Sequence, residues 1–142
     1  MPKEVRQFQL VYALLTANFF FPSLAYAFAP ASAIGQFETL GRLLGGGPYP
    51  FAAGETGFVW RVLGAGNVMT LAFMCALLFW DLRRFYPVLI PLVFLKAFSA
   101  CGFLGVFFSS RYPAFLAVAV FDGLTVAAMI YFARRAYRCL PC

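Results

Sequence analysis

FYPVLIPLVFLKAFSACGFLGVFF (residues 85–108), SSRY (109–112) and PAFLAVAVFDGLTVAAMIYFA (113–133) decide the fold. Two long apolar runs are separated by a turn of four residues. About 20 apolar residues in a helix cross a hydrocarbon layer of ~30 Å. In such a layer each backbone N–H and C=O must be satisfied within the chain, which selects helices. A short turn makes the two helices antiparallel neighbours. Each run carries one ionisable residue, Lys96 in the first and Asp122 in the second.

Two further apolar runs precede this hairpin. The first covers residues 8–28, after Lys3 and Arg6, and contains Pro22, which predicts a kink. It also has the form of a signal peptide, with Ala25-Tyr26-Ala27 at the cleavage position; it is read here as a retained helix. The second covers residues 58–80 and leads through Asp81-Leu82-Arg83-Arg84 into the hairpin. Between them, Ile34, Phe37, Leu40 and Leu44 recur at helical spacing, and Gly45-Gly46-Gly47 follows. This predicts a short helix over 31–44 lying in the membrane interface. The expected architecture is all-α: a single-domain integral membrane four-helix bundle, with residues 134–142 as a tail.

Composition agrees with this class. The chain of 142 residues is 63% hydrophobic and 11% charged, with a mean hydropathy of +0.84. Soluble domains carry roughly 25% charged residues. The absence of histidine excludes the common haem and zinc ligation schemes. The net charge of +6 does not indicate nucleic acid, because the basic residues cluster at segment ends. Lys3, Arg6, Arg83, Arg84, Arg134, Arg135 and Arg138 fall on one side, and Arg42, Arg61 and Arg111 on the other. The positive-inside rule then puts both termini in the cytoplasm, with the basic ends able to meet anionic lipid.

Each apolar run holds one strongly polar residue: Asn18, Asn67, Lys96 and Asp122. Each lies roughly 11 to 14 residues from the basic end of its helix, about 16–21 Å at helical rise. Ionisable residues at that depth are costly and mark either a structural network or a proton- or ligand-responsive site. Ala97, Cys101 and Gly105 on one helix, and Ala119, Gly123 and Ala127 on the other, repeat every fourth residue. That is the small-residue pattern of a close helix–helix seam. The expectation is a polar network of all four residues, with Lys96 and Asp122 paired across the seam.

Secondary candidates lie at the ends. Glu55 and Arg61 sit near the outer boundary, beside Trp60, as interfacial anchors or as a polar gate. Cys139 and Cys142 have the spacing of a thiol pair, without a partner pair or a histidine that would complete a metal site. Cys75 and Cys101 differ in depth by ~14 Å, too far for a disulfide. Phe19-Phe20-Phe21 and Phe107-Phe108 enrich the outer half, either as lipid-facing bulk or as the lining of a pocket for a quinone, sterol or other lipophile.

The layout is similar to that of the DoxX-like small bacterial membrane proteins. The shared features are four helices in a short chain, a long outer connection, Glu55 opening the second helix and the run Gly64-Ala65-Gly66 beyond it. The resemblance implies the topology and does not assign Lys96 or Asp122.

Three functions follow as expectations. The first is a non-enzymatic membrane protein that binds a lipophile or serves as an accessory subunit of a larger complex. It needs no cofactor beyond a bound lipid or quinone. The second is an oligomeric transporter coupled through Lys96 and Asp122. The third is a membrane thiol oxidoreductase using Cys139 and Cys142.

Overall fold

The computed structural model describes residues 2–48 and 55–140; the side chains of residues 55–56 and 58–60 lie outside that description. The described residues form six α-helices and one 3₁₀ turn: α1 Lys3–Phe28, α2 Pro30–Leu43, α3 Glu55–Trp80, α4 Leu82–Phe85, the turn Tyr86–Val88, α5 Leu89–Ser110 and α6 Pro113–Cys139. Four stretches are long and apolar enough to cross a membrane: α1, Arg61–Trp80 within α3, the α4–α5 run Leu82–Ser110, and α6.

Several boundaries differ from the sequence reading: α1 begins at Lys3 rather than residue 8, and α3 at Glu55 rather than residue 58. The α4–α5 run is broken at Tyr86–Val88, because Pro87 has no N–H for the helical ladder. Asp81 caps α4 by accepting a hydrogen bond from the Arg84 N–H at 3.0 Å, so the expected basic turn is mostly helix. At the other end, α6 does not stop at Ala133 but continues to Cys139. Arg134 and Arg135 end the apolar stretch without ending the helix. Ala133 and Ala136 keep its inward face packed, and Arg138 complements the negative end of the helix dipole. Residues 134–139 are therefore a helical extension and not a tail.

The largest interface joins α1 to α3, the next α5 to α6, and α1 also packs on α6. The inward positions follow a seven-residue repeat: Val5, Tyr12, Phe19 and Tyr26 on α1, Arg61, Val68 and Cys75 on α3, Leu89, Lys96 and Phe103 on α5, and Phe115, Asp122, Met129 and Ala136 on α6. Repeats of this kind keep one stripe of each helix facing its neighbours over many turns. The layers that result are visible in the contacts. Tyr12 meets Met129, donating its hydroxyl to the Met129 carbonyl at 3.0 Å. Phe19 lies against Lys96, which faces Asp122. Tyr26, Arg61, Phe103 and Phe115 line a common space one layer further on.

Tyr12 is fully buried, and its hydroxyl is a neutral bond to a backbone acceptor. Tyr12→Phe should lower stability by about 1 kcal/mol, measured by denaturant or thermal unfolding in detergent. A loss indistinguishable from zero would mean that the Met129 carbonyl keeps an equivalent partner.

Of the small-residue seam expected between α5 and α6, only Ala119 is buried. Cys101, Gly105, Gly123 and Ala127 are exposed, and a Cβ on Gly105 or Gly123 would meet nothing within 4 Å. The helices meet instead through Leu89, Leu92, Lys96, Ser99 and Phe103 facing Phe115, Ala119, Asp122 and Met129. This alternation of three and four residues keeps one stripe of each helix at the contact.

α2 docks across the end opposite the two termini. Phe37 and Leu40 pack on Tyr112, Phe115, Phe103 and Phe107. The approach is close enough that a Cβ on Gly41 would overlap the Tyr112 ring and hydroxyl, so only glycine fits.

Candidate functional site

Asp122 and Lys96 are 2% and 9% exposed, on helices held antiparallel by a two-residue connection, Arg111 and Tyr112. Arg111 turns the chain in the left-handed region (φ 56°), and its N–H donates to the Phe107 carbonyl at 2.7 Å. Pro113 then opens α6 at the position where its missing N–H costs nothing. With the turn set, the inward stripes of the two helices face each other in steps of seven residues. Phe103 therefore meets Phe115, and one heptad lower Lys96 meets Asp122.

The pair is nearly saturated. Lys96 Nζ lies 2.5 Å from Asp122 Oδ1. Asp122 Oδ2 accepts a hydrogen bond from the Ser99 hydroxyl at 2.7 Å. The ammonium also sits 4.9 Å from the centre of the Phe19 ring, within cation–π range. Both carboxylate oxygens are thus used, and the cation has a charge partner and an aromatic face. Ser99, one turn beyond Lys96, is not among the sequence candidates, and Phe19, next to Asn18, is there only as part of the Phe19-Phe20-Phe21 run and not as a partner of the ion pair. The seven-residue spacing of Phe19 from Tyr12 and Tyr26 was the available signal.

Asn18 and Asn67 do not join this network. Both are exposed, and neither hydrogen-bonds to Lys96 or Asp122. The reason is rotation: each residue turns a helix by about 100°. With Phe19 and Val68 inward, their predecessors Asn18 and Asn67 point away. Depth placed all four polar residues in one layer, but only two of them on inward faces.

Above the pair lies a cavity of about 220 Å³, lined by Tyr26, Pro30, Ala33, Ile34, Phe37, Arg61, Phe103 and Phe115. Phe37, Phe103 and Phe115 form one wall of it, with ring centroids 6.1–6.5 Å apart, the spacing of mutually packed aromatics. Arg61 is tied to its own helix through Nε, which donates to the Gly57 carbonyl at 3.2 Å. Tyr26 and Arg61 also line the cavity, but the surface presented to it is almost wholly apolar. Lys96 and Asp122 do not line this cavity. Phe19 belongs to the layer below, and Phe20 and Phe21 are exposed, so that triplet divides between interior and surface.

The end candidates fare differently. The Glu55 side chain and Cys142 lie outside the described residues, so the Glu55–Arg61 and Cys139–Cys142 pairings are not described. Cys139 is exposed in the last turn of α6. Cys75 is buried and Cys101 exposed, both as free thiols. Among the described residues no group of three or more His, Cys, Asp or Glu side chains could hold a metal ion.

Comparison with protein-family models, with curated proteins and with solved structures found no match.

Proposed function

We propose that this chain is an integral membrane protein that binds the ring end of a flat lipophile, such as a quinone, in the cavity under α2. α1, α3, α4–α5 and α6 cross the bilayer as a four-helix bundle. α2 lies in the outer interface, and both termini face the cytoplasm. The excess of basic residues at the terminal end supports this orientation, as the positive-inside rule requires. A bacterial inner membrane and the DoxX-like topology are kept as parts of the same reading.

The observation that carries the proposal is the cavity itself. It has three phenylalanine rings, an almost wholly apolar surface and a cover formed by a separate helix. Ligand sites are typically concave, mostly apolar and oriented by a few polar groups. At about 220 Å³ the space takes a ring and leaves an isoprenoid or acyl tail in the lipid.

The transporter reading has less support. Lys96 and Asp122 neutralise each other, Ser99 takes the second carboxylate oxygen, and neither charge reaches the cavity. The trio acts as a pin that sets the rotation of α5 and α6 and closes the layer beneath the ligand.

The test is a thermal-unfolding titration of the detergent-solubilised protein with ubiquinone-1. A bound ligand stabilises by about 2.7 kcal/mol at a hundred times its Kd. The wild type should show a saturable rise in Tm, and Ile34→Trp, which fills the cavity, should show none. An equal rise in both proteins, or none in the wild type, would refute the site.

A further inference from the structure

α6 presents a second, unassigned feature at the end that carries the termini. Glu4, Ala127, Ile130, Tyr131, Arg134, Arg135, Arg138 and Cys139 line an open groove of about 630 Å³. Ala127, Ile130, Arg134 and Arg138 are spaced three and four residues apart, which places them on one face of the helix. The same face continues away from the arginines as exposed Leu124 and Val120, with Gly123 leaving a notch between them. One stripe therefore runs from apolar to basic along the helix axis. Its apolar part, residues 120–131, is about 16 Å long at helical rise, the depth of one leaflet of a ~30 Å hydrocarbon layer.

The charges in the groove are not equivalent. Arg135 is committed: it donates to the Tyr131 hydroxyl at 3.0 Å and to Glu4 Oε1 at 3.3 Å. Its partner Glu4 is the groove's carboxylate, so these two charges cancel. Arg134 and Arg138 are exposed and have no such partner among the described residues. Two guanidinium groups one turn apart are thus left at the end of an apolar track. Guanidinium binds phosphate through paired hydrogen bonds, and basic pockets on the cytoplasmic side of helices take anionic headgroups.

We propose that this groove is a binding site for an anionic diacyl phospholipid. The phosphate sits on Arg134 and Arg138, and one acyl chain lies along Ile130, Ala127 and Gly123. Tyr131 stands between the two parts, its hydroxyl held by Arg135, at the level where a lipid's ester region falls. The inference rests on the proposed membrane insertion but not on the cavity under α2, which lies at the opposite end of the helices.

The experiment is native mass spectrometry of the full chain in detergent, titrated with dioleoyl-phosphatidylglycerol or dioleoyl-phosphatidylcholine. The wild type should bind the first phosphatidylglycerol roughly tenfold more tightly than phosphatidylcholine. Arg134→Gln with Arg138→Gln should abolish that preference. Arg83→Gln with Arg84→Gln, which removes the same charge elsewhere at that end, should retain it. Ala127→Trp should weaken phosphatidylglycerol binding with every arginine in place, because it obstructs the acyl track.

Three results would overturn the site: an unchanged preference in the Arg134/Arg138 variant, an equal loss in the Arg83/Arg84 variant, or displacement of the lipid by an equal concentration of glycerol phosphate. The second would mean general surface attraction, and the third a free-phosphate site. Because the readout is lipid selectivity, a protein that prefers phosphatidylglycerol but ignores ubiquinone-1 separates this inference from the cavity's fate.

Discussion

Asp122→Ala should destabilise the protein by roughly 3–5 kcal/mol, and adding Lys96→Met should recover most of that loss. The single change removes the partner of a cation that is nearly enclosed by α1, α5 and α6, so the ammonium keeps its desolvation cost without its counter-charge. It also strands the Ser99 hydroxyl, which donates to the same carboxylate. Methionine in place of Lys96 keeps much of the side-chain length and can lie against the Phe19 ring, where a thioether is favourable. The pair would then be replaced by apolar contact, an exchange that is often close to neutral. The measurement is unfolding in detergent of the wild type, both single variants and the double variant. If the double variant is clearly less stable than Asp122→Ala, the two residues are not energetic partners.

Gly41→Ala should cost about 1–3 kcal/mol, the usual range for forcing a methyl group into a packed site. The added Cβ would overlap the ring and hydroxyl of Tyr112. Tyr112 cannot swing aside freely, because it is buried with its ring edge against Phe115, 5.6 Å between centroids, in the cluster formed with Phe37 and Leu40. The strain falls on the docking of α2, which carries the Pro30, Ala33, Ile34 and Phe37 wall of the cavity. Hydrogen exchange should accelerate along residues 30–43 and remain unchanged in α1 and α6, and ubiquinone-1 affinity should fall with it. Tyr112→Leu in the same chain should restore both by making room. Unchanged exchange in Gly41→Ala would mean that α2 is not held by this contact.

Which features were legible in the sequence follows from what a linear chain encodes. The apolar length of the runs and their bounding charges carry the four long helices, since lipid-soluble backbone must satisfy itself. That Lys96 and Asp122 stand at one depth is a matter of counting from the basic end of each helix, 12 residues from Arg84 to Lys96 and 12 from Asp122 to Arg134. The error over Asn18 and Asn67 has a matching cause. Counting gives depth along a helix but not rotation about it, and one residue's difference in register moves a side chain through about 100°. The glycines misled in a similar way: Gly105 and Gly123 mark a possible seam in the sequence, yet the large residues at heptad positions took the contact.

The sequence alone determined four long apolar helices, their order, the excess of basic charge at one end and the presence of two opposite charges at a common depth. These depend on local composition and on covalent distance, which are properties of the chain before it folds. Tertiary structure decided which stripe of each helix faces inward. It thereby turned the two asparagines outward, joined Ser99 and Phe19 to the ion pair, seated α2 over Tyr26, Phe103 and Phe115, and left Arg134 and Arg138 uncommitted beside Arg135 and Glu4. Those outcomes depend on which side chains fill the space between helices, and that competition is settled only when all the helices pack at once.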